Sequence, residues 1–198
     1  TMGRAIRTPA FWALFLVYFW TAVAAYAVLP QSVAILVERG FDPLVAAGAF
    51  GFTGLLSTVG IIAMGWISDR VGRFPSVVGS YVMSIAGTSC LLAITWYQDW
   101  VLVYGFVILF GLVQGARGPV IAALVAVLYR GGSVGAIFGT LSMALGLGAS
   151  MGSYLSGLLH DVTGDYVASF ALAIAGSVLG CLSYTFSKSL RTETLRQS

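Results

Sequence analysis

The chain has 198 residues, 59% of them hydrophobic and 9% charged. Soluble domains carry about a quarter charged residues, so the chain is read as an integral membrane protein. The net charge of +3 is small, and its bases fall in connecting segments rather than on a basic face, which excludes a nucleic-acid partner. The chain contains no asparagine and hence no N-glycosylation acceptor. Cys90 and Cys181 both lie inside apolar runs and read as small buried residues, not as a disulfide framework or a metal site.

A helix needs about 20 apolar residues to cross a hydrocarbon core of about 30 Å. Six runs meet that length, at 10–37, 45–67, 77–96, 100–128, 134–159 and 167–186. The expected fold is an all-α transmembrane bundle forming one domain over 1–198. Short connections make consecutive helices antiparallel, so both termini lie on one side. On that side the connections and ends hold Arg4, Arg7, Asp69, Arg70, Arg73, Arg130, Lys188, Arg191, Glu193 and Arg196. The other side holds Glu38, Arg39, Asp42, Asp99, Asp161 and Asp165. Lysine and arginine therefore divide eight against one, which predicts cytoplasmic termini. Trp96, Tyr97 and Trp100 suit an aromatic belt at the outer interface.

The first run is rich in rings, and most of them are expected to face lipid or to pack. Tyr18 and Tyr26 are eight residues apart and share a helix face. Their hydroxyls want partners in hydrocarbon, so this face is expected to look at a cavity, with Pro30 permitting a bend and Gln31 beside it. The second run ends in Gly65-Trp66-Ile67-Ser68-Asp69-Arg70-Val71-Gly72-Arg73, expected as a tight turn carrying an acid and bases at the membrane face. Gly65 and Gly72 let the backbone turn and neighbouring helices approach.

The fourth run reads Gly111-Leu112-Val113-Gln114-Gly115-Ala116-Arg117-Gly118-Pro119. Arg117 lies 17 residues from Trp100 and 13 from Arg130, which at about 1.5 Å per residue is near the midplane. A charge at that depth is costly and by default marks a solute path. Gln114 lies on the same face, and Gly115, Gly118 and Pro119 weaken the helix locally. An arginine fork matches a carboxylate, so the expected solute is a small organic anion. The other option for Arg117 is a structural bond to backbone carbonyls or to a partner helix.

The fifth run places Gly148, Gly152 and Gly157 near every fourth position, a spacing that admits a close neighbouring backbone. At the outer face, His160-Asp161 lacks both a nucleophile and the ligand count of a metal site, so loop and cap roles are expected. No cofactor, metal or catalytic residue is expected, and no intramembrane acid–base or nucleophile pair supports an enzyme.

The spacing G-x-x-x-D-R-x-G-R over Gly65–Arg73 resembles the signature loop of the major facilitator superfamily, with Phe74 where that pattern usually closes on a further base. The opening Arg7-Thr8-Pro9-Ala10-Phe11-Trp12 and the stretch from Gly139-Thr140 to His160-Asp161-Val162-Thr163-Gly164-Asp165-Tyr166 resemble the second half of monocarboxylate and oxalate-formate type carriers. The fifth run is also similar to the glycine-rich motif of proton-coupled antiporters, with Ser153 and Ser156 where that motif has proline and glycine. The resemblance implies a six-helix half bundle made of two inverted three-helix repeats. It implies a secondary transporter half in a bacterial plasma (inner) membrane, working by alternating access with a second six-helix half. That partner is an N-terminal half, the favoured expectation, or a second copy. Gly65, Asp69, Arg70, Gly72 and Arg73 would gate the cytoplasmic side, with Asp69 near 133–136 of the partner if the partner is a second copy. Mammalian-type monocarboxylate carriers have a substrate arginine on the helix matching the second run, and its absence here counts against a monocarboxylate. The alternative function is a non-transporting scaffold or receptor-like protein, or an inactive split-gene fragment.

Overall fold

The computed structural model describes residues 2–129 and 134–187. Arg130 and Ser133, like Lys188, Arg191, Glu193 and Arg196, lie outside the described residues. The described elements are α1 (Met2–Ala5), α2 (Pro9–Glu38), α3 (Pro43–Val71), α4 (Arg73–Ala93), α5 (Trp100–Gln114), α6 (Arg117–Leu128), α7 (Val134–Thr163) and α8 (Val167–Thr185). With α5 and α6 taken as one crossing, six spans are long and apolar enough to cross a membrane among the described residues.

Short polar side chains set the helix starts. Thr8 precedes Pro9 and its Oγ1 accepts the Phe11 N–H at 3.4 Å. Asp42 precedes Pro43 and its Oδ1 accepts the N–H groups of Leu44 and Val45 at 2.8 and 3.3 Å. Asp99 accepts Val101 N–H at 2.9 Å, and Asp165 accepts Val167 N–H at 3.0 Å. Each cap satisfies an amide that the first helical turn leaves open, and proline suits the first position because its missing donor is not needed there.

Two local results differ from the sequence expectation. The segment Gly65–Val71 is not a turn: α3 continues through it to Val71, and α4 starts at Arg73. The whole reversal falls on Gly72, whose φ of 98° is open to glycine and strained for other residues. The fourth run is two helices, because the helical hydrogen-bond ladder is interrupted at Gly115 and Ala116, although both keep right-handed helical dihedrals. Pro119 explains the break: it has no N–H for the Gly115 carbonyl, and its ring crowds that position.

Helix α2 packs against α7 and α8, α5 packs against α3 and α4, and α4 meets α8. One core cluster gathers Leu14, Tyr18, Tyr81, Leu124 and Leu141, and a second gathers Val28, Ile35, Leu91, Phe106 and Phe170. Helices α3 and α7 flank this centre. Only 17% and 22% of their most apolar stretches are buried, against 44% for α2.

Candidate functional site

Four helices converge on Arg117, the first residue of α6. Its side chain is 5% exposed. The guanidinium lies over the Tyr81 ring, 4.3 Å from the centroid, and Nη2 donates to Ser84 Oγ. Tyr81 in turn shares a 2.6 Å hydrogen bond with Thr21 of α2. A Cβ at Gly180 of α8 would sit 2.9 Å from the Tyr81 hydroxyl, so glycine leaves room for that ring. Arg117 Nε is buried without a hydrogen-bond partner. The arrangement holds a cation by a π face and a hydroxyl, both neutral, and retains one N–H that an incoming acceptor could use.

The other residues singled out with Arg117 are spread along the bundle. Gln114 is half-buried at the end of α5. Tyr18 is buried in the same core cluster as Tyr81. Tyr26 is 40% exposed, and Gln31 is buried one turn further on. Tyr18 and Tyr26 thus differ in environment, since Tyr18 is sealed into the core and Tyr26 faces outward.

The sequence analysis did not single out Tyr81, Ser84 or Thr21. A signal for α4 existed: Ser76, Ser80, Ser84 and Thr88 fall every fourth residue in an apolar helix, and all four are buried. Ser76 and Ser80 donate back to Gly72 and Val77 carbonyls at 2.7 Å. Ser84 is the member of that row that meets the charge.

Around the α3–α4 reversal, Gly65, Ser68 and Asp69 at the end of α3 and Arg73 at the start of α4 face Pro119, Val120 and Ala123 of α6 across a cavity of about 130 Å³. Asp69 is exposed, and Arg70 lies over the Trp66 ring at 4.0 Å. The turn therefore borders the helix whose first residue is Arg117.

Glycine rows give α7 two different faces. Gly148 and Gly152 meet the carbonyls of Phe19 and Val23 so closely that any Cβ would overlap them. Ser156 Oγ donates to Ala27 O at 2.8 Å on the same seam. Gly157 has open space around it. On the opposite side, Gly135, Gly139, Ser142, Gly146 and Ser150 form an exposed row of small residues. A Cβ at any of those three glycines would meet nothing within 4 Å.

At the other end of the bundle, the Tyr166 hydroxyl donates to Glu38 Oε1 at 2.7 Å and ties α8 to α2. His160 stacks on the Tyr166 ring at 4.3 Å. Burial, and then the adjacent Glu38 carboxylate, push the Tyr166 phenol above its ordinary value. Among the described residues no cluster of histidine, cysteine and carboxylate side chains could hold a metal ion.

Similarity to known proteins agrees with this geometry. The family model of the Major Facilitator Superfamily matches residues 11–197. Monocarboxylate transporter 13 of Rattus norvegicus is 34% identical over 163 residues, covering 78% of this chain and 37% of that protein. An uncharacterized MFS-type transporter, YcxA of Bacillus subtilis (strain 168), is 28% identical over 137 residues, covering 64% of this chain and 32% of that protein. In fold, the chain is similar to a POT family transporter in complex with 5-aminolevulinic acid, with TM-score 0.80, 22% identity, and coverage of 91% of this chain and 38% of that one. Tetrameric PepTSo2 gives a TM-score of 0.81 at 19% identity, covering 93% of this chain and 42% of that one. The chain thus spans about a third of the length of the curated relatives it matches, and these relatives are transporters rather than enzymes. An integral membrane bundle of six apolar spans, with the signature spacing at its tightest reversal, the chain belongs to the major facilitator superfamily.

Proposed function

We propose that the chain is one six-helix half of a secondary transporter that moves a small organic anion by alternating access. The observation that carries this reading is the outer face of α7. In its exposed row of Gly135, Gly139, Ser142, Gly146 and Ser150, a Cβ at any of the three glycines would meet nothing within 4 Å among the described residues, and small residues in a membrane helix suit close approach by another helix. A second six-helix half supplies that helix, either an N-terminal half or a second copy. The inverted three-helix repeats then rock around a midplane site.

In this reading Arg117 is the anion-recognising charge. Its unpaired Nε and its neutral neighbours leave the positive charge uncompensated, and half-buried Gln114 three residues earlier is the candidate nearest to it in the chain, whereas core Tyr18, outward-facing Tyr26 and buried Gln31 do not share one face with it. A second reading has its own support: the contacts to Tyr81 and Ser84 pin broken α6 to α4. Uptake by the full-length protein in proteoliposomes separates the two. Arg117→Lys keeps the charge and loses the fork. Recognition predicts a KM raised at least about tenfold with insertion intact. A pin predicts a lower melting temperature with unchanged KM, and that result overturns solute recognition.

The proposed orientation places both termini in the cytoplasm of a plasma membrane, supported by the eight-to-one division of loop bases. Thr163→Cys labelled only from outside is the expected outcome, and labelling only from the cytoplasmic side reverses the orientation.

A further inference from the structure

Two cavities meet at the Asp42–Trp100 end of the bundle and share Val45 and Trp100. The deeper one, about 450 Å³, lies between α3 and α5, and its lining includes Phe52, Leu56, Tyr104, Val107 and Ile108. The outer one, about 280 Å³, is lined by Arg39, Asp42, Gln98 and the Phe41 ring. The structure thus has an apolar slot that opens onto a pocket holding one cation and one anion.

We propose that this pair of cavities seats one zwitterionic phospholipid of the surrounding bilayer. Length supports an acyl chain in the slot. From Val45 to Leu56, helix α3 rises about 16 Å at about 1.5 Å per residue. One leaflet's share of a core of about 30 Å is about 15 Å. The slot therefore begins at the interface and ends near the midplane, as an acyl chain does.

Charge supports the headgroup. The Arg39 guanidinium offers a fork of donors to a phosphate, and the Gln98 amide adds another donor. Asp42 would repel a purely anionic headgroup. Its Oδ1 caps α3 through Leu44 and Val45, which leaves Oδ2 for an ammonium. Trp100 stands at the junction, edge-on to Phe41 at 4.9 Å, and its face adds a cation–π surface for the same ammonium. Two loops build the pocket: the α2–α3 reversal at Gly40, with φ 84°, comes within 3.4 Å of the Gln98 side chain when a Cβ is placed on it. An amine and a phosphate in one headgroup satisfy both charges, whereas a lone phosphate satisfies one.

Native mass spectrometry of the full-length protein tests this, with phosphatidylethanolamine and phosphatidylglycerol added at equal concentration. The expected result is one retained lipid, with phosphatidylethanolamine favoured about fivefold, the scale of one partly exposed ion pair. Asp42→Asn keeps the helix cap, because asparagine caps as well as aspartate, and should bring the preference to about one. Gly48→Phe projects into open space beside the slot and should remove the retained lipid of either kind. Equal retention of the two lipids by the unmodified protein overturns the headgroup assignment. Retention unchanged in Gly48→Phe overturns the slot.

Discussion

The α2–α7 seam and the α3–α6 seam belong to one bundle and are built in opposite ways. Along α2–α7, Gly148 and Gly152 bring carbonyl oxygens of α2 against the α7 backbone, and Ser153 and Ser156 donate to Tyr26 and Ala27 carbonyls at 3.4 and 2.8 Å. Nothing larger than hydrogen fits at those two glycines. Along α3–α6, a Cβ at Gly65 would meet nothing within 4 Å, and a cavity of about 130 Å³ separates Asp69 and Arg73 from Pro119 and Ala123. Without a hydrophobic force between helices in lipid, close packing and polar bonds hold a seam together. The first seam has both and should move as one body. The second has a cavity and a charged rim, which is where a helix pair can change its spacing at low cost.

The largest expected effect comes from spoiling the tight seam. Gly152→Leu forces a side chain into the Val23 carbonyl and should cost about 1–3 kcal/mol or more, as overpacking does. Thermal unfolding of the purified protein should show a melting temperature lower by several degrees, at about 2–4 °C per kcal/mol for a chain of this size. Gly65→Ala is the matched control on the loose seam. Its methyl meets open space, and alanine favours the helix by about 0.5–1 kcal/mol, so its melting temperature should hold or rise slightly. Equal losses in the two variants would erase the distinction between the seams.

Much of this division was legible in the sequence, and its exceptions have physical causes. Six apolar runs are enough to set six crossings, because the bilayer forces each to satisfy its own backbone. The capping residues Thr8, Asp42, Asp99 and Asp165 mark helix starts by local chemistry alone. Gly148 and Gly152 show a small-residue row in sequence, but not which of the two faces of α7 meets α2. That choice depends on a tertiary partner. Arg117 was legible as a charge at depth, whereas Tyr81 and Ser84 lie 36 and 33 positions away in the chain, and only folding brings them to it. The segment Gly65–Val71 looked like a turn because its charges suggested the end of a span. The helix carries those charges past the apolar run, and Gly72 alone takes the reversal.

The loose seam offers a subtler test of the same comparison, in which function changes and stability does not. Asp69 is exposed near the end of α3, beside the cavity shared with α6. Asp69→Asn removes the charge and keeps the shape, so stability should stay within about 0.5 kcal/mol of the unmodified protein. If the carboxylate latches the cytoplasmic side against a second half, its loss shifts the balance of inward-open and inward-closed states. An exposed charge contact is worth about 0–1 kcal/mol, which corresponds to a shift of up to about fivefold in that balance. Uptake by the full-length protein in proteoliposomes should therefore change up to about fivefold, while the melting temperature stays constant. Gly152→Leu should instead lower both quantities together, because it damages the seam that does not move. Asp69→Asn with unaltered uptake would remove the charge from the gate, and the cavity on α3–α6 would then be a packing gap without a moving part.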